Sequence, residues 1–384
     1  MQQQPAGLED AILVSIDFGE NDHSESLTEL RLLAETAGVR VLAIVEARRQ
    51  RPDAALFAGR GKVQEIAGLV EQLDVPLVIF NHDLSPAQMR NLTAKLNTRV
   101  IDRTMLILDI FAQRAQSHEG KVQVELAQLE YLATHLVGMN QDMGQQKHAV
   151  GARGPGETML ELDRRKLDKR IHLLKERLEK LKRHRAVQRR ARNRHDVLSV
   201  SIVGYTNAGK STLFNRLTRA SVYVADQLFA TLDTTSRRMF TEETGEIVVS
   251  DTVGFIRHLP HSLVAAFRST LEETMQADLL LHVVDANNAN REDQIAEVNK
   301  VLSEIGAADI PQVLVFNKID LQDLPPSVQR DDYGRIALVF LSAKSGAGLD
   351  ELRLALREAK AMRQASEAVA HKLTKRVSDE YGIE

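Results

Sequence analysis

At 384 residues the chain exceeds one ordinary hydrophobic core, and two or three domains are expected. A 43% apolar and 27% charged composition excludes a disordered chain, and the absence of cysteine excludes disulfides and thiolate metal sites. The net charge of -3 predicts no polyanion partner by itself, although it averages over a strong local bias. The opening "MQQQPAGLED" has no basic n-region or apolar h-region, and runs such as "ADLLLHVVDA" fall far short of a bilayer span. A cytoplasmic protein without a membrane span is therefore expected; a monomer is the separate expectation for its oligomeric state.

Residues 8–112 alternate strand-like and helix-like stretches. "DAILVSIDF" and "VRVLAIVEA" read as strands flanking the helix "SLTELRLLAETAG", which stops at Gly38. The helix "GKVQEIAGLVEQLD", the strand "PLVIFNH" and a helix capped by Ser85 with Pro86 at its first position follow. "TRVIDRTMLILDIFAQRA" opens as a further strand. The repetition predicts a small α/β domain with a parallel sheet. "AGRGK" at 58–62 lacks the spacing of a phosphate loop and reads as a turn before a helix.

Strand signals vanish over 113–195. "EGKVQVELAQLEYLATHLVGM" and the stretch from Thr158 to His195 read as two helices, joined by the glycine-rich "NQDMGQQKHAVGARGPGE". In the second, Leu167, Ile171, Leu174, Leu178 and Leu181 are spaced 4-3-4-3, the seam of a helix pair. An α-helical hairpin is expected. Between Asp163 and Arg194 stand 15 Lys or Arg against 4 acidic residues. That one-signed excess suits salt-sensitive contact with RNA phosphates, and the lack of aromatics favours folded RNA over stacked single strands. A solvated helix face is the alternative. Arg153 in the glycine loop would meet the same surface or cap a helix.

From 197 to 362 strands return in "VLSVSIVG", "SRRMF", "EIVVSD", "DLLLHVVDA", "PQVLVFNKID" and "IALVFLSA", with helices starting near Gly209, Leu263, Arg291 and Leu349. The fold class is α/β: a doubly wound, mostly parallel sheet. Residues 363–384 read as a polar helical tail.

"GYTNAGKST" carries the pattern G-x-x-x-x-G-K-[ST] between a strand and a helix, which marks the phosphate-binding P-loop. Gly204 and Gly209 allow close backbone approach, with Tyr205, Thr206, Asn207, Ala208 and Thr212 completing the cradle. Lys210 would reach the β- and γ-phosphates, and the Ser211 hydroxyl would ligate Mg2+. Further on, Asn317, Lys318, Ile319 and Asp320 end a strand. A carboxylate at Asp320 accepts from both N1–H and the exocyclic amine of guanine, whereas adenine leaves it unpaired, a costly mismatch for a buried charge. Lys318 would lay its stem over the base, and Ser342, Ala343 and Lys344 would meet the guanine carbonyl. The ligand is GTP or GDP.

Between these motifs lie the residues expected to sense the γ-phosphate. Asp251 would hold magnesium through water, and Gly254 would donate its amide, with Thr252 and Val253 between them. In Phe229, Ala230, Thr231, Leu232 and Asp233, Thr231 is the choice to complete the metal shell, with Thr234 and Thr235 as competitors. Lys210, Thr231 and Gly254 are the candidate catalytic residues for water attack on the γ-phosphate. Phe255 follows Gly254 where many GTPases carry a water-orienting Gln, so slow intrinsic hydrolysis is expected. His258 and His261 read as loop residues without a metal role.

The order of "GYTNAGKS", "FATLD", "DTVGFIRHLP", "NKID" and "SAK" resembles the Era, Obg and HflX branch of translational GTPases. "GARGPGET" ahead of a basic helix is similar to HflX in particular, as are "GRGKVQEI" and "VIDRTMLILDIFAQRAQSHEGKVQVELAQL". The resemblance spans about residues 8–360. It implies a GTPase that binds the large ribosomal subunit and its rRNA and dissociates stalled or idle ribosomes. Thr234 stands where that family's pattern has Pro. Beyond Leu356 the sequence holds only a polar helix where many relatives carry a small carboxy-terminal domain. Several relatives with Asn at the position of Asn207 use K+ against the phosphates, which the resemblance extends to this chain; a loop-bracing Asn207 is the alternative. Two other functions stay open at this point: a GTP-dependent RNA-remodelling enzyme, and a slow switch docking a protein partner.

Overall fold

The computed structural model describes residues 9–19, 22–145, 155–192, 197–219, 228–241, 245–257, 260, 263 and 268–381; the side chains of 136–145, 155–163, 182, 184–192, 268–270 and 366–381 lie outside the description. The chain divides into two compact units, Met1–His184 with Leu259–Ala266, and Arg185–His258 with Phe267–Glu384.

The first unit contains β1 (Glu9–Asp17), α1 (His23–Thr36), β2 (Val39–Arg48), α2 (Arg60–Leu73), β3 (Leu77–Phe80), α3 (Pro86–Leu96), β4 (Arg99–Ile101) and α4 (Arg103–Arg114). Its strands are all parallel, in the order β2-β1-β3-β4. Ile12, Val14, Ile16, Val78 and Phe80 bury one face of the sheet against Val63, Ile66 and Leu92. Ser85 caps α3 with a reciprocal bond to Gln88, and Pro86 occupies its first turn. The stretch opening at Thr98 gives only three strand residues. The Asp102 carboxylate then accepts from the Met105 amide at 2.9 Å and starts a helix, so its apolar run is mostly helical. At "AGRGK", Gly59 turns with φ 83° immediately before α2, and the Arg49 guanidinium fills the space a Cβ would need.

Two long helices follow, α5 (His118–Gln145) and α6 (Pro155–Arg192), the latter belonging to this unit as far as His184. Both take in residues expected from sequence to belong to the glycine-rich connector. Residues 151–154, including Arg153, lie outside the described residues. Leu174 and Leu178 of α6 bury against Val122 and Leu126 of α5, with Ile171 partly packed beside them. Ion pairs Arg170–Glu125 and Lys175–Glu130, at 2.6 and 2.8 Å, flank this seam. The middle of the apolar stripe therefore packs as its 4-3 spacing predicts, while Leu167 and Leu181 at its ends are half-buried.

The second unit holds β5 (Leu198–Gly204), α7 (Lys210–Thr218), β6 (Thr235–Thr241), β7 (Gly245–Asp251), α8 (Arg268–Met275), β8 (Leu279–Asp285), α9 (Arg291–Glu304), β9 (Gln312–Asn317), β10 (Ser327–Arg330), β11 (Ile336–Phe340) and α10 (Leu349–Tyr381). The sheet order is β10-β11-β9-β8-β5-β7-β6. Only the edge pairs β10/β11 and β6/β7 are antiparallel. β5 lies between β7 and β8, so the connections leave it in opposite directions. Its carboxyl end is the switch point where ligands of such sheets bind. β10, "SVQR", is an addition to the strands legible in sequence; it is short and largely exposed. α10 crosses residue 362 without a break. Leu352 and Leu356 bury into the core, and Arg363 reaches Asp278 at 2.5 Å and the Val197 carbonyl at 3.0 Å. Among the described residues no helix is long and apolar enough to cross a membrane.

Candidate nucleotide site

At the end of β5 the backbone turns in a way only glycine tolerates. Gly204 has φ 144°, and a Cβ there would lie 2.2 Å from the Val283 carbonyl oxygen of β8. Gly209, with φ 94°, would place a Cβ 2.2 Å from the Asn317 side-chain nitrogen. Between them Tyr205, Thr206, Asn207 and Ala208 form a loop that delivers the chain into α7, whose amino-terminal dipole favours an anion. Lys210 is 6% exposed, and its ammonium donates to the Tyr205 carbonyl at 2.7 Å. Burial pushes Lys210 down to about 8; the Asp251 carboxylate opposes this and the nearby Lys318 adds to it.

Three side-chain oxygens converge beside this lysine. Ser211 Oγ donates to Asp251 Oδ2 at 2.7 Å, Thr231 Oγ1 donates to the same oxygen at 3.1 Å, and the two hydroxyls lie 2.8 Å apart. Burial raises the Asp251 carboxyl above its usual range, against the bonds from Ser211 and Thr231 and the charge of Lys210. Its second oxygen, Oδ1, is buried without a hydrogen-bond partner. An all-oxygen donor set with an unsatisfied carboxylate oxygen fits a hard divalent cation such as magnesium. Among the described residues no cluster of three or more His, Asp or Glu offers a different metal site. Thr231, not its neighbours Thr234 and Thr235, is the threonine brought to Ser211; Thr235 opens β6 and pairs with Asp251 in the sheet.

The segment after β7 lies against the same loop. A Cβ on Gly254 would meet Thr206 Cγ2 at 2.7 Å and Lys210 Nζ at 2.9 Å. The Thr206 amide donates to the Phe255 carbonyl at 2.7 Å, and the Phe255 amide donates to the Gly204 carbonyl at 3.2 Å. The Phe255 side chain is 2% exposed, so its ring is packed in the interior and cannot touch a reacting water.

Asn317, at the end of β9, joins the two ends of the cleft. Its amide nitrogen donates to the Ala208 carbonyl and its oxygen accepts from the Ala343 amide, both at 2.8 Å. Lys318 adopts φ 66° and pairs with Asp285 at 2.8 Å. Ile319 is buried, while Asp320 stands exposed at the rim instead of being buried as expected from sequence. Among the described residues no side chain pairs with its carboxylate. Ser342 is fully buried and accepts from the Ser345 amide, fixing the loop that carries Ala343 and Lys344. Arg216 of α7 holds that loop from behind, donating to the Ala343 carbonyl at 3.1 Å and to the Lys344 carbonyl.

The result is one cleft of about 370 Å³. Thr206, Asn207, Gly209, Lys210, Ser211 and Thr212 line its phosphate end, and Phe229, Ala230, Thr231, Thr252 and Gly254 line one side. Asn317, Lys318, Asp320, Ala343 and Lys344 line the other end. Gly204, Tyr205, Ala208, Leu232, Asp233, Asp251, Val253, Ile319 and Ser342 are not on the wall of the cleft. Among these, Leu232 and Val253 are buried behind it and Asp233 is half-buried. His258 and His261 lie outside the described residues. Sequence reasoning missed Leu321, which lines the cleft at 58% exposure, and the supporting roles of Arg216 and Asp285. Leu321 follows Asp320 directly and was findable on that ground; the other two depend on tertiary pairing.

A phosphate loop at the switch point of a parallel-rich sheet, facing a base loop across one cleft, defines a P-loop GTPase. The family described as 50S ribosome-binding GTPase matches residues 199–318. Those described as GTP-binding GTPase N-terminal and GTP-binding GTPase Middle Region match 24–112 and 114–192. GTPase HflX of Escherichia coli is 52% identical over 95% of this chain and 85% of its own length. GTPase HflX of Caldanaerobacter subterraneus is 47% identical over 92% and 81%. The solved structure of SsGBP in complex with GDP is 26% identical, with a TM-score of 0.50, over 94% of this chain and 99% of that one. The chain belongs to the HflX family of GTPases; it binds GTP and hydrolyses it.

Proposed function

We propose that this GTPase binds the large ribosomal subunit and dissociates stalled or idle ribosomes under control of its bound nucleotide. The observation that carries the reading is the basic surface of α6. Arg164, Arg165, Lys169, Arg177, Lys180 and Arg183 are all exposed, next to a seam that fixes the helix on α5. Such a face suits the phosphates of folded rRNA, and the description of the family matched by 199–318 agrees with that partner. The peak of positive charge, 184–195, adds to it by sequence alone. The working division is an amino-terminal domain over 8–112, a basic hairpin over 113–195, a G domain over 197–362 and a tail over 363–384.

Within the cleft, Lys210 would neutralise the β- and γ-phosphates, and the Gly254 amide would donate to the γ-phosphate. The Ser211 and Thr231 hydroxyls, with Asp251 behind a water, would hold Mg2+, which supplies further charge neutralisation. Asp320 would select guanine, with Lys318 beside the base and Ala343 at its carbonyl. Asn207 is exposed on the cleft wall, and among the described residues its carboxamide has no hydrogen-bond partner. That favours a K+-binding role over a loop-bracing one, and equal turnover in sodium and potassium would refute it. The inward Phe255 leaves the attacking water without a side chain from that position, so large subunits are expected to raise turnover well above the intrinsic rate. The decisive experiment is sedimentation of 70S ribosomes with the protein and GTP, GDP or a non-hydrolysable GTP analogue. Subunits released with the triphosphate forms and not with GDP support the proposal. Intact ribosomes and no co-sedimentation with any nucleotide would sink it.

A further inference from the structure

Beyond the backbone pairing of Phe255, the segment after Gly254 has a side-chain fastening to the phosphate loop. The Tyr205 hydroxyl accepts a hydrogen bond from the Arg257 amide at 2.8 Å, and both residues are buried. The Arg257 guanidinium lies 3.5 Å from Asp293 in the first turn of α9. On the other side of Gly254, Thr252 Oγ1 donates to the Ile202 carbonyl of β5 at 2.7 Å. Gly254 is therefore held from both sides against Thr206 and Lys210. The P-loop pattern places no demand on the side chain at position 205, because that loop grips phosphate through its backbone. Phenylalanine would fill nearly the same volume, so packing alone does not account for the hydroxyl.

A diphosphate ends where the P-loop grips it, whereas a triphosphate also meets Gly254. Whatever holds the Gly254–Arg257 segment down therefore adds to triphosphate affinity and leaves diphosphate affinity nearly alone. Without the hydroxyl, the docked segment loses the bond from the Arg257 amide to Tyr205, whereas the lifted segment, which never makes it, loses nothing. We infer that Tyr205 is a positioning residue whose hydroxyl keeps Gly254–Arg257 on the phosphate loop and so sets the preference for triphosphate over diphosphate. This rests on the reading of Gly254 as the γ-phosphate donor.

The test uses the full chain with Tyr205→Phe and, separately, Gly254→Ala. Each is measured against the unaltered protein for GDP binding, binding of a non-hydrolysable GTP analogue, and single-turnover hydrolysis. Tyr205→Phe is expected to lower analogue affinity and hydrolysis about tenfold, the effect of one buried hydrogen bond, while GDP affinity stays within twofold. Equal losses for both nucleotides would make the hydroxyl merely structural and overturn the inference, as would no loss for either. If Gly254→Ala abolishes the analogue preference and Tyr205→Phe keeps it, the inference fails and the γ-phosphate reading survives. If Gly254→Ala keeps the preference, both fail. Hydrogen exchange at the Arg257 amide gives a readout without substitution. Stronger protection with the analogue than with GDP supports the inference, and equal protection overturns it.

Discussion

Replacing Asn317 with alanine removes two buried hydrogen bonds from the centre of the cleft and leaves the Ala208 carbonyl and the Ala343 amide without their partner. Each unsatisfied group costs about 1–3 kcal/mol, and the adjacent cleft lets water recover part of that. A total of about 3 kcal/mol follows. Ala208 belongs to the loop that holds phosphate and Ala343 to the loop that meets the base, so the loss falls on affinity at both ends of the nucleotide. At about 1.4 kcal/mol per decade, Asn317→Ala should weaken GDP binding on the order of 100-fold. Asn317→Asp keeps an acceptor for Ala343 but turns an oxygen toward the Ala208 carbonyl, and should bind no better than Asn317→Ala. Titration calorimetry with GDP on the three proteins, at matched magnesium, measures this. A dissociation constant for Asn317→Ala within threefold of the unaltered protein would refute the idea that one side chain couples the two loops.

Asp320→Asn should cost about two orders of magnitude in GDP affinity and shift preference toward xanthosine diphosphate, whose C2 carbonyl accepts from a carboxamide; competition binding reads both. Lys210, with its pKa near 8, must be cationic to meet phosphate, and the charge is lost as pH rises through that value. GDP affinity should therefore be flat below pH 8 and fall above it, by up to tenfold per unit, and Lys210→Arg, always charged, should flatten the slope at lower affinity. Burial holds His282 neutral, its pKa pushed down to about 4 from an ordinary 6.5. The unfolded chain then binds the extra proton between those values, so stability is lost as pH falls from 6.5 to 4, by about 3 kcal/mol. His282→Gln should remove that loss, read as the difference between two denaturation series. Raised carboxyls such as Asp251 act with the opposite sign but are common to both proteins.

What the sequence made legible follows from how local each signal is. The P-loop needs only an eight-residue spacing, and the apolar residues spaced 4-3-4-3 declare their seam without a partner in view. Strand β10 has no apolar alternation to announce it and exists because β11 offers an edge. The apolar run from Val100 to Phe111 suits a strand or a helix equally, and the Asp102 cap decides it. The residue proposed to select guanine, Asp320, was legible, but its setting was not: the carboxylate sits exposed at the rim. The framework behind the site was illegible for a plain reason. Arg216 and Ala343 are 127 positions apart, and Tyr205 and Arg257 are 52 apart, so only the folded sheet shows that they meet.

The Asp278 carboxylate takes one bond from the Ser199 amide at the start of β5 and another from Arg363 in α10. The last helix is thereby anchored to the root of the strand whose opposite end is the nucleotide loop. A chain cut after Met362 would keep every residue that lines the cleft, yet strip the cation from the carboxylate on which that strand is founded. The carboxyl-terminal helix is in this sense a buttress of the hydrolytic unit, and shortening it should loosen the strand at its base.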